Sequence, residues 1–223
     1  FQKLHTCLKL VLVLAGGFLL FREIFLAVGA YVGRQTKPVS TMRAPRDKWI
    51  LFGGWAVLLV IYGTVFYTSM YPGNTSRDSS WQIEQIMTGV YSNHHPYYHT
   101  QLIRLCMMIG MKLSGGDMNC AVACYSLFSM ALLSLCFAYV AYTAYQITRS
   151  KGLVFVTLAW YALMPFHIAY SVTMWKDVPF GAAETFFVVA IYRYLAFGTE
   201  KKLWDAVVAA VAAVVDAELL RLF

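Results

Sequence analysis

The chain has 223 residues, of which 60% are hydrophobic and only 13% charged, and its formal net charge is +7. Soluble domains carry about 25% charged residues, so a chain this apolar has too little polar surface to face water on every side, and an integral membrane protein is expected. In such a protein a cationic excess marks cytoplasmic loops, and no nucleic-acid partner is expected.

A spanning helix needs about 20 mostly apolar residues. The first such run is Leu8–Val32, interrupted by Arg22 and Glu23, which would pair with each other or with a neighbouring helix, or leave the segment lying along the interface. No small-x-small cleavage site separates it from polar sequence, so it does not read as a signal peptide. Residues 1–33 are therefore expected as an N-terminal hydrophobic helix and an extra span, followed by a basic loop over residues 34–48. Residues 49–223 form the main transmembrane module, with 70–118 as its outer-face loop. Its apolar runs are Trp49–Ser69, Asn119–Ile147, Leu153–Tyr170 and Pro179–Phe197, then Leu203–Leu220 up to the chain end. The chain starts at Phe1 and stops at Phe223 within an apolar stretch, and so reads as a piece of a longer protein.

Orientation follows the bias of Lys and Arg. Gly33–Lys48 holds Arg34, Lys37, Arg43, Arg46 and Lys48 against Asp47. Thr148–Lys151 holds Arg149 and Lys151, while Gly198–Lys202 holds Lys201 and Lys202, with Arg193 shortly before. All three loops fall on the cytoplasmic side only if Pro96–Leu113 stays outside. Its pattern agrees: Gln101, Arg104 and Lys112 make a polar stripe, flanked by Leu102, Ile103, Leu105, Cys106 and Ile109, as in a helix lying in the interface plane. Pro96 suits its first turn. A shorter helix precedes it, starting at Asp78 or Ser79, with Ser79-x-x-Gln82 as capping box, Ile83, Ile86, Met87 and Val90 on one face, and Gly89 at its end. The expected fold is all-α: a polytopic transmembrane helical bundle with two in-plane amphipathic helices in the first extracytoplasmic loop.

That loop, Tyr71–Thr100, gathers Arg77, Asp78, Glu84, His94, His95 and His99 at a membrane boundary, where titratable groups point to chemistry. The same topology brings Lys176 and Asp177 to the outer face, with Glu184 seven residues on and able to share a helix face with Asp177. Asp78 follows Arg77 at a helix start, where a carboxylate is favoured and can take a proton from an attacking hydroxyl; the plain alternative is a helix cap. For Asp177 and Glu184 the alternative is a structural pairing with a cation on a neighbouring helix. His95 and His99 have the i, i+4 spacing of metal ligands, but Pro96 makes His95 a cap residue and no HExxH pattern is present, so phosphate binding or capping is expected of the histidines and no metal site is assigned. Cys7, Cys106, Cys120, Cys124 and Cys136 form no CxxC pair and read as inert thiols. Asn74-Thr75-Ser76 fits a glycosylation sequon, a triplet common by chance.

The order of Arg77-Asp78, then Asn93-His94-His95-Pro96, then two spans joined by a basic turn, then Trp175-Lys176-Asp177-Val178-Pro179-Phe180 resembles the GT-C superfamily of membrane glycosyltransferases. That superfamily includes protein O-mannosyltransferases and aminoarabinose transferases, and the wording of these stretches is closest to a bacterial branch of it. The resemblance runs from about Trp49 to Phe197. It departs where relatives carry His-Pro-Pro-Leu, here His95-Pro96-Tyr97-Tyr98, and where they carry an acidic pair, here Asp78-Ser79. It implies an enzyme of the bacterial cytoplasmic membrane, with its active site on the extracytoplasmic face. Such an enzyme moves a sugar, with inversion, from a polyprenyl-phosphate donor to an envelope glycan, lipid or protein acceptor. Asp78 would be general base, and Asp177, the second catalytic carboxylate, would position donor or acceptor or orient a catalytic cation. Arg77, Gln82, His94, His95, His99, Arg104 and Lys176 would bind substrate. A divalent cation, magnesium or manganese, is admitted but not required. The rival class is a transporter or flippase for an envelope precursor, which would concentrate polar groups such as Glu184 and the Arg22-Glu23 pair near the bilayer midplane, with broken helices. A non-catalytic scaffold is the third class.

Overall fold

The computed structural model describes residues 47–92 and 94–196, with residues 207, 208, 210 and 211. The expected span Leu8–Val32, the basic loops apart from Asp47, Lys48 and Thr148–Lys151, Cys7, Asn93 and nearly all of Leu203–Leu220 lie outside the described residues.

Helix α1 (Lys48–Val65) runs into one π-helical turn, Phe66–Met70. Its buried positions Gly54, Leu58, Tyr62 and Phe66 recur every fourth residue, a single stripe facing the core. After the turn come strand β1 (Asn74–Thr75), helix α2 (Arg77–Thr88) and helix α3 (Tyr97–Ser114). Helix α4 (Met118–Thr148) is the central element. In its apolar window 61% of residues are buried, against 22% for the α1 segment. The chain then forms α5 (Lys151–Leu163), α6 (Pro165–Ser171), strand β2 (Thr173–Met174) and α7 (Asp177–Ala196).

The helices are thus where the apolar runs lie, and the molecule is mostly helical. Two described helices, Lys48–Met70 and Met118–Thr148, are long and apolar enough to cross a membrane, or three if the bent pair α5–α6 counts as one span. Two expectations change. The run Leu153–Tyr170 is not one straight helix: it breaks at Met164 and turns by 64°. Pro165 is the reason. A proline disfavours helical backbone in the residue before it, Met164 is extended (φ −75°, ψ 114°), and Pro165 opens the next helix at its first turn, where its missing N–H costs nothing. The expected span Pro179–Phe197 corresponds to α7, whose Asp177, Glu184 and Arg193 set it apart from the apolar helices.

The purely helical expectation also omits a short parallel pairing. Asn74 faces Thr173 and Thr75 faces Met174 across β1 and β2, and the Asn74 amide donates to Val172 O at 2.9 Å. Ser126 of α4 holds the base of this pairing, its hydroxyl lying 3.1 Å from Pro72 O and 3.3 Å from Val172 O. Gly73 makes the approach: its φ is +116°, and a Cβ there would meet Ser126 Oγ at 2.0 Å and Val172 O at 2.9 Å.

A second close approach joins α3 to α4. Any Cβ on Gly110 would stand 2.5 Å from Cys120 O and 2.6 Å from the Ala121 Cα. Ile103, Cys106, Met107, Ala121, Val122, Tyr125 and Met174 close over this seam as one buried cluster. Because backbone atoms cannot give way as a flexible side chain does, Gly110→Ala is expected to cost about 1–3 kcal/mol. Gly115→Ala meets nothing within 4 Å and opposes only its positive φ of 71°, so it should cost about 1 kcal/mol. Unfolding midpoints of the two variants in detergent check the order; equal midpoints would mean that α3 and α4 are not so closely packed.

Candidate functional site

The site starts from a helix cap. The Ser76 side chain accepts from the Ser79 amide at 3.2 Å and the Ser79 hydroxyl accepts from the Ser76 amide at 2.7 Å, a reciprocal capping box at the start of α2. The sequence expectation placed this box three residues later, at Ser79 and Gln82, with Asp78 or Ser79 as cap. The correction has a physical origin: Ser79 has the reach to serve as the third residue of the box, and β1 fixes where the extended chain ends. Asp78 therefore does not cap. It sits in the first turn of α2, half-buried, its carboxylate favoured by the amide dipoles there.

At the β1–β2 pairing two segments distant in sequence meet. Parallel pairing makes both chains leave the strands in the same direction, so Arg77 and Asp78 follow β1 as Lys176 and Asp177 follow β2. The Arg77 guanidinium lies 5.0 Å from the Trp81 ring centroid. The rings of His94 and His95 each stand 6.0 Å from Trp81 and 4.8 Å from one another. His95 is 4% exposed, and its Nε2 has no hydrogen-bond partner among the described residues. Burial lowers its pKa, Asp78 draws it back up, and His94 and Lys176 push it down again. Asp78, His94, His95 and Lys176 thus form one electrostatic cluster, with Arg77 beside it over Trp81.

Beneath it lies a buried relay. His99 is 2% exposed; its Nδ1 is 3.1 Å from Gln82 Oε1 and its Nε2 2.8 Å from the Tyr125 hydroxyl. The Gln82 amide nitrogen donates to Thr100 Oγ1 at 2.9 Å, which in turn donates to Pro96 O at 3.2 Å. With the amide nitrogen committed to Thr100, Gln82 Oε1 accepts from His99 Nδ1–H, leaving Nε2 to accept from Tyr125. Both ring nitrogens are used, so His99 has no lone pair for a metal, and Gln82 and His99 tie α2, α3 and α4 together under the cluster. Among the described residues no group of three His, Cys, Asp or Glu side chains is placed to hold a metal ion.

The remaining residues named from sequence lie apart. Arg104 is on the exposed face of α3 with Leu105, Met108, Ile109 and Lys112, and is not among the charges acting on His95. Asp177 lines a second, mostly apolar cleft of about 430 Å³ between α4, α6 and α7, with Phe137, His167, Tyr170, Trp175 and Thr185. Tyr170 and Trp175 stack there at 6.0 Å. Glu184 is exposed on α7. Cys106 and Cys136 are buried, Cys120 and Cys124 partly so, and all four are free thiols. Sequence reading passed over Trp81 and Tyr125. Trp81 was legible as the i+4 neighbour of Arg77 on one helix face, whereas nothing local linked Tyr125 to His99, 26 residues away.

No family model, no curated protein and no solved structure matches the chain.

The relay carries a pH signature. Burial first, then the charges of His95 and Lys176, pull the His99 pKa from 6.5 to about 4. A folded pKa below the unfolded one means that the unfolded chain binds more protons between the two values, so the stabilisation is whole above about 6.5 and fades as pH falls towards 4. The loss should approach about 3 kcal/mol. Unfolding midpoints measured from pH 7.5 to 4 should fall in the parent and flatten in His99→Gln; parallel curves would remove His99 as the titrating group.

Proposed function

We propose that the chain is a GT-C-like membrane glycosyltransferase. In this reading it transfers a sugar from a polyprenyl-phosphate donor to a hydroxyl acceptor on the extracytoplasmic side of a bacterial cytoplasmic membrane. The single observation that carries the reading is the β1–β2 pairing. It joins the Arg77-Asp78 turn to the Lys176-Asp177 turn across almost a hundred residues of chain, and Asp78 and Lys176 from the two turns both act on His95. The resemblance in sequence names the same two turns.

In the proposed topology α1, α4 and the bent pair α5–α6 cross the bilayer with α7, and α2 and α3 lie in the plane of its outer face as amphipathic helices. The α3 face bearing Leu105, Met108, Ile109, Arg104 and Lys112 suits that position, with apolar groups to the lipid and cations to phosphate headgroups.

The chemistry follows from the cluster. The Asp78 carboxylate removes the proton from the acceptor hydroxyl as its oxygen bonds to the anomeric carbon. The bond from that carbon to the phosphate oxygen breaks, and polyprenyl phosphate leaves with the electron pair. Arg77, Lys176 and the histidines stabilise the leaving phosphate. Attack opposite the departing group inverts the anomeric centre. In its separate cleft Asp177 positions a substrate rather than taking the proton. Magnesium or manganese stays an open addition that this step does not use.

Incubation of the membrane-embedded protein with polyprenyl-phosphate sugars and envelope acceptors should release polyprenyl phosphate. Asp78→Asn should lower kcat by at least about a hundredfold, the usual span of general-base catalysis, with expression and melting unchanged. Asp177→Asn should raise KM and spare kcat. Near-parental kcat in Asp78→Asn would remove Asp78 from the base role.

One observation favours the rival. The break at Met164–Pro165, with a 64° bend, is the kind of interrupted helix from which transporters build their sites. Uptake of a labelled envelope precursor into vesicles, with no release of polyprenyl phosphate, would select the transporter.

A further inference from the structure

An open cavity of about 300 Å³ lies between the exposed side of α2 and the segment that follows it, lined by Trp81, Glu84, Gln85, Thr88, Val90, Ser92, His94 and His95. Its size is at the lower end for small-molecule sites, about 300–1,000 Å³. Three of its features point to one ligand chemistry. The first is an aromatic wall: Trp81 remains 40% exposed although Arg77 lies against its ring. The second is a polar rim. Glu84 presents a carboxylate, and Ser92 is fixed by two contacts with Gln85: the Gln85 amide nitrogen lies 3.3 Å from Ser92 Oγ, and the Ser92 amide donates to Gln85 Oε1 at 3.2 Å. The third is an unmet demand: His95 is a lining residue, and its buried Nε2 has no hydrogen-bond partner among the described residues. A buried polar atom left so costs free energy until something meets it.

We propose that this cavity is a glycosyl subsite. It takes the ring of a neutral sugar 1-phosphate against Trp81, with ring hydroxyls on Glu84, Gln85 and Ser92 and an oxygen of the ligand on His95 Nε2. His94 and His95 line the cavity, with Arg77 beside them over Trp81, and suit the phosphate, whereas Glu84 in the same lining accepts hydroxyl protons and repels a uronate. Trp81, Glu84, Gln85 and Ser92 then decide which sugar is held, while Asp78 decides what is done with it. The assignment of this sugar as that of the donor rests on the transferase reading; the binding of a sugar ring does not.

Saturation-transfer NMR on the whole chain in nanodiscs tests it, with glucose, galactose, mannose and arabinose 1-phosphates, their methyl glycosides and inorganic phosphate as probes. Saturation of ring protons is expected for at least one sugar 1-phosphate, more weakly for its methyl glycoside. Trp81→Ala should reduce it at least tenfold, Trp81→Phe should restore much of it, and Glu84→Gln, an exposed change, should weaken it several-fold. Absence of ring saturation across the panel overturns the proposal. So does saturation undiminished in both Trp81→Ala and Glu84→Gln, or displacement by inorganic phosphate with no contribution from the ring. The transferase reading fails separately: ring binding without release of polyprenyl phosphate from any donor keeps the subsite and removes the reaction. Release undiminished in Glu84→Gln and Trp81→Ala keeps the reaction and removes the subsite.

Discussion

The hydroxyl of Ser126 is the point on which the β1–β2 end of this molecule depends. It sits on the central helix and lies within hydrogen-bond distance of the carbonyls of Pro72 and Val172, the residues that lead into β1 and β2. One hydroxyl proton cannot serve both fully, so the contact is shared, and it works only because Gly73 leaves room for it. A two-residue ladder has little stability of its own. Anchored on a buried helix, it fixes the height and direction of two loops that the chain keeps nearly a hundred residues apart. Every later feature of the site inherits its position from this contact. The Ser76–Ser79 box follows β1 directly, α2 follows the box, and Lys176 follows β2.

Polar groups elsewhere are sorted along the same central helix. Near its start Tyr125 meets His99. Near its end the Arg193 guanidinium donates to Thr143 and Gln146 and lies over the rings of Tyr139 and Tyr142, and the Tyr145 hydroxyl donates to Asp47 at 3.0 Å. Tyr125 and Gln146 are 21 positions apart, about 30 Å of helix, which is the thickness of a bilayer core. Between them, Ser134 returns its hydroxyl to Met130 O of its own helix. A buried guanidinium needs oxygen acceptors and aromatic faces, which Tyr139, Tyr142, Thr143 and Gln146 supply, while the middle of α4 carries neutral contacts such as the Trp55 indole to Ala131 O.

Much of this was legible from residues. The apolar runs gave α4, and α1 with its π-helical turn, within one residue of where they lie, and the periodicity of Ile83, Ile86 and Met87 with the stop at Gly89 gave the body and end of α2. Gly89 takes the left-handed conformation expected of a C-cap. What escaped was decided by contacts between distant segments. The cap moved from Asp78 or Ser79 to Ser76 because Ser76 and Ser79 form a pair that only an extended chain in β1 presents. His99 looked like a ligand by spacing and is a buried strut because Gln82 and Tyr125 reach it from other helices. Pro165 was readable in the sequence as a break, yet hydropathy alone carries a span straight across it, since Met164 and Phe166 on either side are as apolar as the helix itself.

Asp177 shows how topology and geometry divide the work. Charge bookkeeping brings it to the face that holds Asp78, and the ladder places the two in equivalent positions after their strands. Equivalent positions on a twisted parallel pair still point differently. Lys176 acts on His95, while Asp177, one residue on, opens the cleft walled by Phe137, Tyr170 and Trp175. The expected two-carboxylate site is therefore replaced by two distinct recesses: His94 and His95 line one, and Asp177 lines the other, which is mostly apolar.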